Sequence, residues 1–299
     1  MRPSVRRDGD RLSIELHRAD TGMAPLKDLD GVRIVFIGQY FGEMNGVRRV
    51  GAPPDEFVTD SQLAGLEGLK QLRVLDAFYA DISDKGLAHL SGLQNLEELR
   101  LEGNTKITDT GLAHLHALRN LKVLSFFQAP ITDAGIAGIR EFSQLEDLQL
   151  GYARITNASL GVIAGFGKLK ELDLQNTQIT DEGMDTLSGL IDLTWLCLVN
   201  TRVGDRGLAH LEGMAKLTSL YLDSTDVTDE GLAHLKRMSK LETLYLSSTK
   251  VTDDGLRQLA GLNNLKRLSL KHTRTTAKGH AELKKALPKV EIVLSDTQG

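Results

Sequence analysis

Four histidines, His89, His114, His210 and His234, share one slot of a recurring G-L-A-H-L pentad, and aspartates at 60, 84, 109, 133, 181, 205, 229 and 253 recur at another. A column of imidazoles would suit zinc, and a ladder of carboxylates would suit calcium. Neither pattern is complete. Gly138, Ala164, Leu187 and Gln258 lie at or near the histidine slot elsewhere, and stacked helices hold such residues beyond zinc's close ligand distances. Each copy supplies one carboxylate where calcium takes several, so the aspartates read as helix-start residues. The single cysteine, Cys197, has Asp173 and Tyr221 as its expected cross-strand neighbours on the exposed face of the sheet. Neither lowers a thiol pKa, and no histidine is placed to act as its base. No phosphate-binding glycine loop, paired-histidine metal motif or nucleophile elbow is present. The expectation is a protein with no metal, no cofactor and no catalytic residues.

These residues recur because the chain does. Between Val47 and Lys289 one frame, L-x-x-L-x-L-x-x-T-x-I/V-T-D-x-G-L-x-x-L-x-x-L/M, is repeated ten times at a period of 24 residues, or 25 in the copies starting at Val47, Leu96 and Leu265. Leu169 to Asp192 and Leu217 to Lys240 are its clearest copies. The segment L-x-x-L-x-L alternates apolar and polar residues and predicts a short strand with one buried face. The segment I/V-T-D-x-G-L-x-x-L-x-x-L predicts a short helix with an inward stripe. Pairs such as Thr180–Asp181 and Thr228–Asp229 sit where a side-chain oxygen caps the first helical amides. The glycine two residues after the aspartate is expected to let neighbouring helices approach closely. No copy buries its apolar face alone, so the copies must stack. Strands stack at about 4.8 Å and helices at about 8–10 Å, which bends the sheet into the concave side of an arc.

On this frame the chain resembles the leucine-rich repeat superfamily, closest to its cysteine-containing type, with Thr177, Thr201, Thr225, Thr249 and Thr273 at the turn position. It also resembles the uniform 24-residue arrays of bacterial leucine-rich repeat proteins. The resemblance implies an α/β fold: a right-handed solenoid, or horseshoe, with a parallel sheet on the concave face and short helices on the convex face. Gly204 in place of the capping threonine, and Asn157 and Ser159 in place of aspartate and glycine, depart from the pattern. The best-known relatives of this repeat type carry an F-box ahead of the repeats. Residues 1–46 show no such module, so a ubiquitin-ligase adaptor role finds no support.

Residues 1–46 read as degenerate repeats forming an N-terminal cap, with strands at Arg11–Leu16 and Val32–Ile37, a short helix from Met23 to Leu29 and a loop from Gly38 to Gly46. Residues 47–289 hold the ten repeats. Pro288 stops the last helix, and residues 290–299 supply a closing strand and tail that cover the sheet edge.

The polar positions of each strand face the concave side. The only Trp and four of the five Tyr fall on or just after them. Trp195, Tyr221 and Tyr245 lie on three neighbouring strands, and Phe78, Tyr79, Phe127 and Tyr152 form a second group. Exposed aromatics among polar residues make binding anchors, because they bury large areas at low entropic cost. Aromatic residues also suit pleated strands for purely structural reasons, which is the competing explanation. Glu98, Glu102, Asp147, Glu171 and Asp173 make the middle of the face acidic, while Lys266, Arg267, Lys271, His272 and Arg274 make its C-terminal end basic. Such asymmetry orients a partner, and the binding set so defined is Phe78, Tyr79, Phe127, Tyr152, Trp195, Tyr221, Tyr245, Arg267 and Lys271.

With a net charge of −4 and a pI near 6.1, the chain does not suggest a partner among nucleic acids or anionic membranes. One thiol makes no internal disulfide, the basic start lacks an apolar signal core, and no apolar run approaches a membrane span. The resulting expectation is a monomeric, cytoplasmic, non-catalytic scaffold that binds a protein partner on its concave face. The alternatives are a self-assembling module using the convex helices and a host-directed bacterial effector.

Overall fold

A computed structural model of the protein describes residues 58–295, together with the backbone of five short strands nearer the N-terminus. The chain forms two units, Met1–Ala153 and Arg154–Gly299.

In the first unit, β1 (Ser4–Asp8) pairs antiparallel with β2 (Arg11–Leu16), and β2 pairs parallel with β3 (Val32–Gly38). The two strands expected in the capping segment are therefore present, and β1 is an additional one. The helix expected at Met23 to Leu29 lies outside the described residues. A hairpin of β4 (Gly42–Met44) and β5 (Val47–Arg49) follows, in a separate two-stranded sheet. The copy starting at Val47 therefore differs from the others in its strand half. Its sequence continues with Pro53 and Pro54, which lack the N–H that a central ladder needs. Its second half keeps the frame, and the Thr59 and Gln62 side chains form a capping box on α1 (Asp60–Leu63).

The main sheet of this unit continues parallel from β3 through β6 (Val74–Phe78), β7 (Glu98–Arg100) and β8 (Val123–Ser125). It then reaches β9 (Asp147–Gln149). Helices α2 (Asp84–Ala88), α3 (Asp109–Leu112) and α4 (Asp133–Gly138) alternate with these strands. Leu75, Leu99, Leu124 and Leu148 stand side by side in register and are fully buried.

The second unit carries α5 (Leu160–Ile163), β10 (Glu171–Asp173), α6 (Asp181–Met184), β11 (Trp195–Cys197) and α7 (Asp205–Ala209). It continues with β12 (Ser219–Tyr221), α8 (Asp229–Leu232), β13 (Thr243–Tyr245), α9 (Asp253–Gln258) and β14 (Arg267–Ser269). It ends with α10 (Ala277–Ala286) and β15 (Glu291–Val293). Strands β10 to β15 are parallel, with Leu172, Leu196, Leu220, Leu244, Leu268 and Ile292 aligned in one row. The five leucines of that row are fully buried. The helix before Pro288 and the closing strand after it form as expected.

Two polar devices recur along the array, one inside each turn and one between successive copies. At the turn, Thr177, Thr201, Thr225 and Thr249 are buried, and each hydroxyl donates to the carbonyl three residues earlier at 2.5–2.7 Å. This gives a carbonyl at the turn a hydrogen-bond partner. Asn104 does the same work in the first unit, donating to Leu101 O at 3.0 Å and to Ala77 O in the preceding copy at 2.7 Å.

The aspartates begin their helices as expected, and the second device gives them a further role. The residue before each aspartate is the N-cap, and at Ser83, Thr108, Thr132, Thr228 and Thr252 its hydroxyl caps the helix: that of Thr228, for example, accepts from Glu230 N at 3.3 Å. The aspartate itself reaches into the following copy. Asp229 accepts from Thr252 N at 2.7 Å and from Thr252 Oγ1 at 2.6 Å. Asp84 and Asp205 repeat the pattern with Thr108 and Thr228. The glycine two residues after the aspartate leaves room for this clamp, since a Cβ at Gly255 would stand 2.3 Å from Asp229 Oδ1. Close approach is confirmed, but the group approached is the preceding copy's carboxylate.

Candidate functional site

The side chains opposite the leucine rows form the outer face of each sheet, and the two units carry different chemistry there. In the second unit three aromatic rings make a continuous row. The centroids of Trp195 and Tyr221 lie 5.2 Å apart at an interplanar angle of 46°, and those of Tyr221 and Tyr245 lie 4.9 Å apart at 64°. The register explains the row. Tyr221 and Tyr245 are direct cross-strand partners, and Trp195 lies on the strand beside Tyr221, offset by one pleat. All three rings are half-buried, which leaves substantial aromatic surface on the outer face.

Shorter side chains in this sheet lie deeper. Cys197, expected on the exposed face, is only 4% exposed, and Asp173 and Ser269 are buried as well. Side chains this short sink between taller neighbours on a pleated surface. Burial pushes the Cys197 thiol up, and the Asp173 charge adds to the effect, so the thiol is held in its unreactive form. Burial also raises the Asp173 carboxyl, against hydrogen bonds from Gln175 N at 2.9 Å and Gln175 Nε2 at 2.8 Å.

The basic end of this face is partly neutralised. Lys266 pairs with Glu242 at 2.6 Å and exposed Arg267 with Glu291 at 3.6 Å. Half-buried Lys271 exerts its attraction on Asp223.

In the first unit, Phe127 and Tyr152 pack edge to face with centroids 5.2 Å apart. Tyr79 and Tyr152 are 40% and 48% exposed, among the most exposed large apolar side chains in the described residues. Both occupy the residue that turns the chain out of the strand, with φ of 47° and 66°. The same left-handed slot holds Gln128, Asn176, Asn200, Ser224, Ser248 and His272 elsewhere. Asparagine tolerates this backbone, whereas a bulky aromatic there stores roughly 1–3 kcal/mol of strain. The sequence frame identified the slot but not its conformation.

Beside these rings lies a polar group that sequence reasoning noted only as part of an acidic cluster. Arg100 donates to Asp76 at 3.3 Å and also to Glu98. Glu102 is in no such ion pair among the described residues, although Arg100 attracts its charge. Among the described residues no group completes a hydrogen bond to Glu102 Oε2 or to the buried Ser125 Oγ. The Ser125 hydroxyl stands close enough to favour the charged carboxylate without reaching standard hydrogen-bond geometry. Burial dominates and raises the Glu102 carboxyl to about 7, and the nearby Asp76 charge adds to it.

The repeated histidines lie among the helices. His89 Nδ1 meets Glu67 and His234 Nδ1 meets Glu212, each at 2.6 Å. Among the described residues no three His, Cys, Asp or Glu side chains converge as a metal site would require, and no helix is long and apolar enough to cross a membrane.

Two family models, both described as leucine-rich repeat, match the chain, one over residues 215–274 and the other over residues 92–115 and 168–188. No curated relative matches in sequence. Among solved structures, an internalin (inlF) from Listeria monocytogenes is similar at 21% identity and a TM-score of 0.66, covering 97% of this chain and 87% of that one. An internalin C2 (inlC2) from the same organism is similar at 23% identity and a TM-score of 0.45, covering 77% of this chain and 88% of that one. The repeat frame, the aligned leucine rows of the sheets, the family-model matches and the fold shared with the first internalin lead to one conclusion: residues 92–115, 168–188 and 215–274 are leucine-rich repeats, and the chain has the leucine-rich repeat fold.

Proposed function

We propose that this protein is a monomeric, cytoplasmic, non-catalytic scaffold that binds a protein partner across the concave, strand-bearing face of its repeats. Trp195, Tyr221 and Tyr245 are the central anchors, Phe127 and Tyr152 extend the contact together with Phe78 and Tyr79, and Arg267 and Lys271 orient the partner. The observation that carries this reading is the stacked row of three half-buried rings on adjacent strands. Aromatic anchors of this kind supply most of the binding energy where they cluster. The strained, exposed Tyr79 and Tyr152 support it further, since a smaller polar residue serves the fold better at that slot.

The Tyr221→Ala/Tyr245→Ala protein is expected to bind its partner about a hundredfold more weakly or worse, as loss of two interface hot spots would require. It should unfold within a few degrees of wild type, since a cross-strand pair contributes only about 0.2–1 kcal/mol. Calorimetric titration beside a thermal melt tests both statements. Unchanged affinity in the folded double mutant would sink the anchor assignment.

A further inference from the structure

The outer face of the first unit holds an unfinished polar arrangement that points to the chemistry of what docks there. Backbone pairing sets Phe78, Glu102 and Phe127 side by side. β6 and β7 pair Asp76 with Arg100, and the ladder runs on through Tyr79 N to Glu102 O at 2.7 Å. β7 and β8 pair Arg100 with Ser125, and the ladder continues through Gly103 N to Phe127 O at 2.9 Å. Glu102 therefore stands in register between Phe78 and Phe127, with Tyr79 lying against Gly103 and Tyr152 packed on Phe127.

Three observations show that this group awaits a counter-ion. Glu102 Oε2 and the fully buried Ser125 Oγ accept nothing within the described residues. Arg100, the cation on the same strand, is directed to Asp76 and Glu98. The charged groups that act on Glu102 are Asp76 on β6, which opposes its ionisation, and Arg100 on β7, whose smaller effect favours it, so no net counter-charge stands beside it. A half-buried carboxylate with aromatic neighbours attracts a cation in two ways, by its own charge and by the negative faces of the rings.

We infer that Glu102, between Phe78 and Phe127 and beside the Ser125 hydroxyl, is the recognition point for an arginine or lysine side chain of the protein partner. This inference rests on the strand-face reading above and specifies the partner's chemistry at one point of it. An arriving cation supplies the missing counter-charge and displaces the proton that Glu102 holds up to about pH 7. Binding should therefore strengthen from pH 6 to pH 8.

The test uses four pools of fluorescent dodecapeptides with Arg, Lys, Leu or Glu fixed at the centre and the other positions randomised without cysteine. Each is titrated by fluorescence polarisation against wild type, Glu102→Gln and Tyr221→Ala/Tyr245→Ala. The expected result is at least tenfold tighter binding of the Arg or Lys pool than of the Leu and Glu pools at pH 8. That advantage should be lost in Glu102→Gln and kept in Tyr221→Ala/Tyr245→Ala. No binding of any pool, no preference for the cationic pools, or a preference that survives in Glu102→Gln overturns the inference. Loss of binding by all pools in the tyrosine double mutant alone would overturn it too, while upholding the aromatic anchors.

Thermal melts verify that Glu102→Gln folds. The folded-state pKa of Glu102 lies above its ordinary 4.5, so stability from the neutral carboxyl is complete below that value and is lost as pH rises through about 7. Glu102→Gln should accordingly melt above wild type at pH 8 and with it at pH 4.

Discussion

Leu244→Asp is expected to abolish the cooperative unfolding transition of the unit Arg154–Gly299. Leu244 is fully buried and stands in register between Leu220 and Leu268, themselves fully buried. Removing the leucine side chain costs about 2–5 kcal/mol through lost burial and the cavity left behind. Placing a carboxylate there, with no counter-ion in a row of leucines, adds several kcal/mol more. The sum matches the whole stability of an ordinary domain, about 5–15 kcal/mol. Because each repeat is stable only against its neighbours, the damage spreads along the stack. Hydrogen exchange followed by mass spectrometry should show lost amide protection across β12, β13 and β14, against retained protection in a Thr243→Asp control on the outer face. A wild-type melt for Leu244→Asp would contradict the inward assignment of the leucine row.

The second large effect concerns the clamp between successive copies. Asp229→Ala leaves the amide and hydroxyl of Thr252 without their shared acceptor. Two hydrogen bonds to a charged group, at about 1.5–3 kcal/mol each in favourable cases, make a loss of about 2–4 kcal/mol the expected result at this half-buried site. Asp229→Asn should cost less. Asn157 already performs the task in this chain, accepting from Thr180 N at 3.1 Å and donating to Thr180 Oγ1 at 2.8 Å.

Gly255→Ala in the wild-type background drives a methyl to 2.3 Å from the Asp229 carboxylate and should also destabilise. In the Asp229→Ala background that clash is gone and only Leu232 Cδ1, at 3.0 Å, must yield. With alanine's better helix propensity, about 1 kcal/mol, the same change should cost much less than in wild type. Denaturant melts of the four proteins give the coupling. Strict additivity would show that the clamp and the glycine do not act as a unit.

Much of this fold was legible because it is written as a period. The alternation of Leu172 and Leu174, or Leu244 and Leu246, announces a strand, and the leucines after Gly183 or Gly231 announce a helix. The clamp escaped because its partners, such as Asp229 and Thr252, are separated by almost a full period. Within one copy the aspartate looks like a helix cap. The hairpin Gly42–Arg49 escaped because it is not repeated, so no pattern marks its antiparallel pairing.

On the outer face, aromatic positions were readable, since the frame fixes which residues point away from the leucines. Depth was not. Cys197, Asp173 and Ser125 occupy outward slots yet are buried, because depth depends on the height of the neighbouring side chains. The same limit hid Glu102. Its isolation follows from Arg100 turning to Asp76 and Glu98, a choice among rotamers that spacing does not encode.

The claim that the aromatic row is the binding surface is tested most directly by affinity capture from the source cell's lysate. Wild type is compared with the Trp195→Ala/Tyr221→Ala/Tyr245→Ala protein, and circular dichroism verifies that both are folded. The account predicts a protein enriched by wild type and lost in the triple mutant. Identical captured profiles from the two folded proteins would contradict it and move the partner to the helical side or to the N-terminal segment.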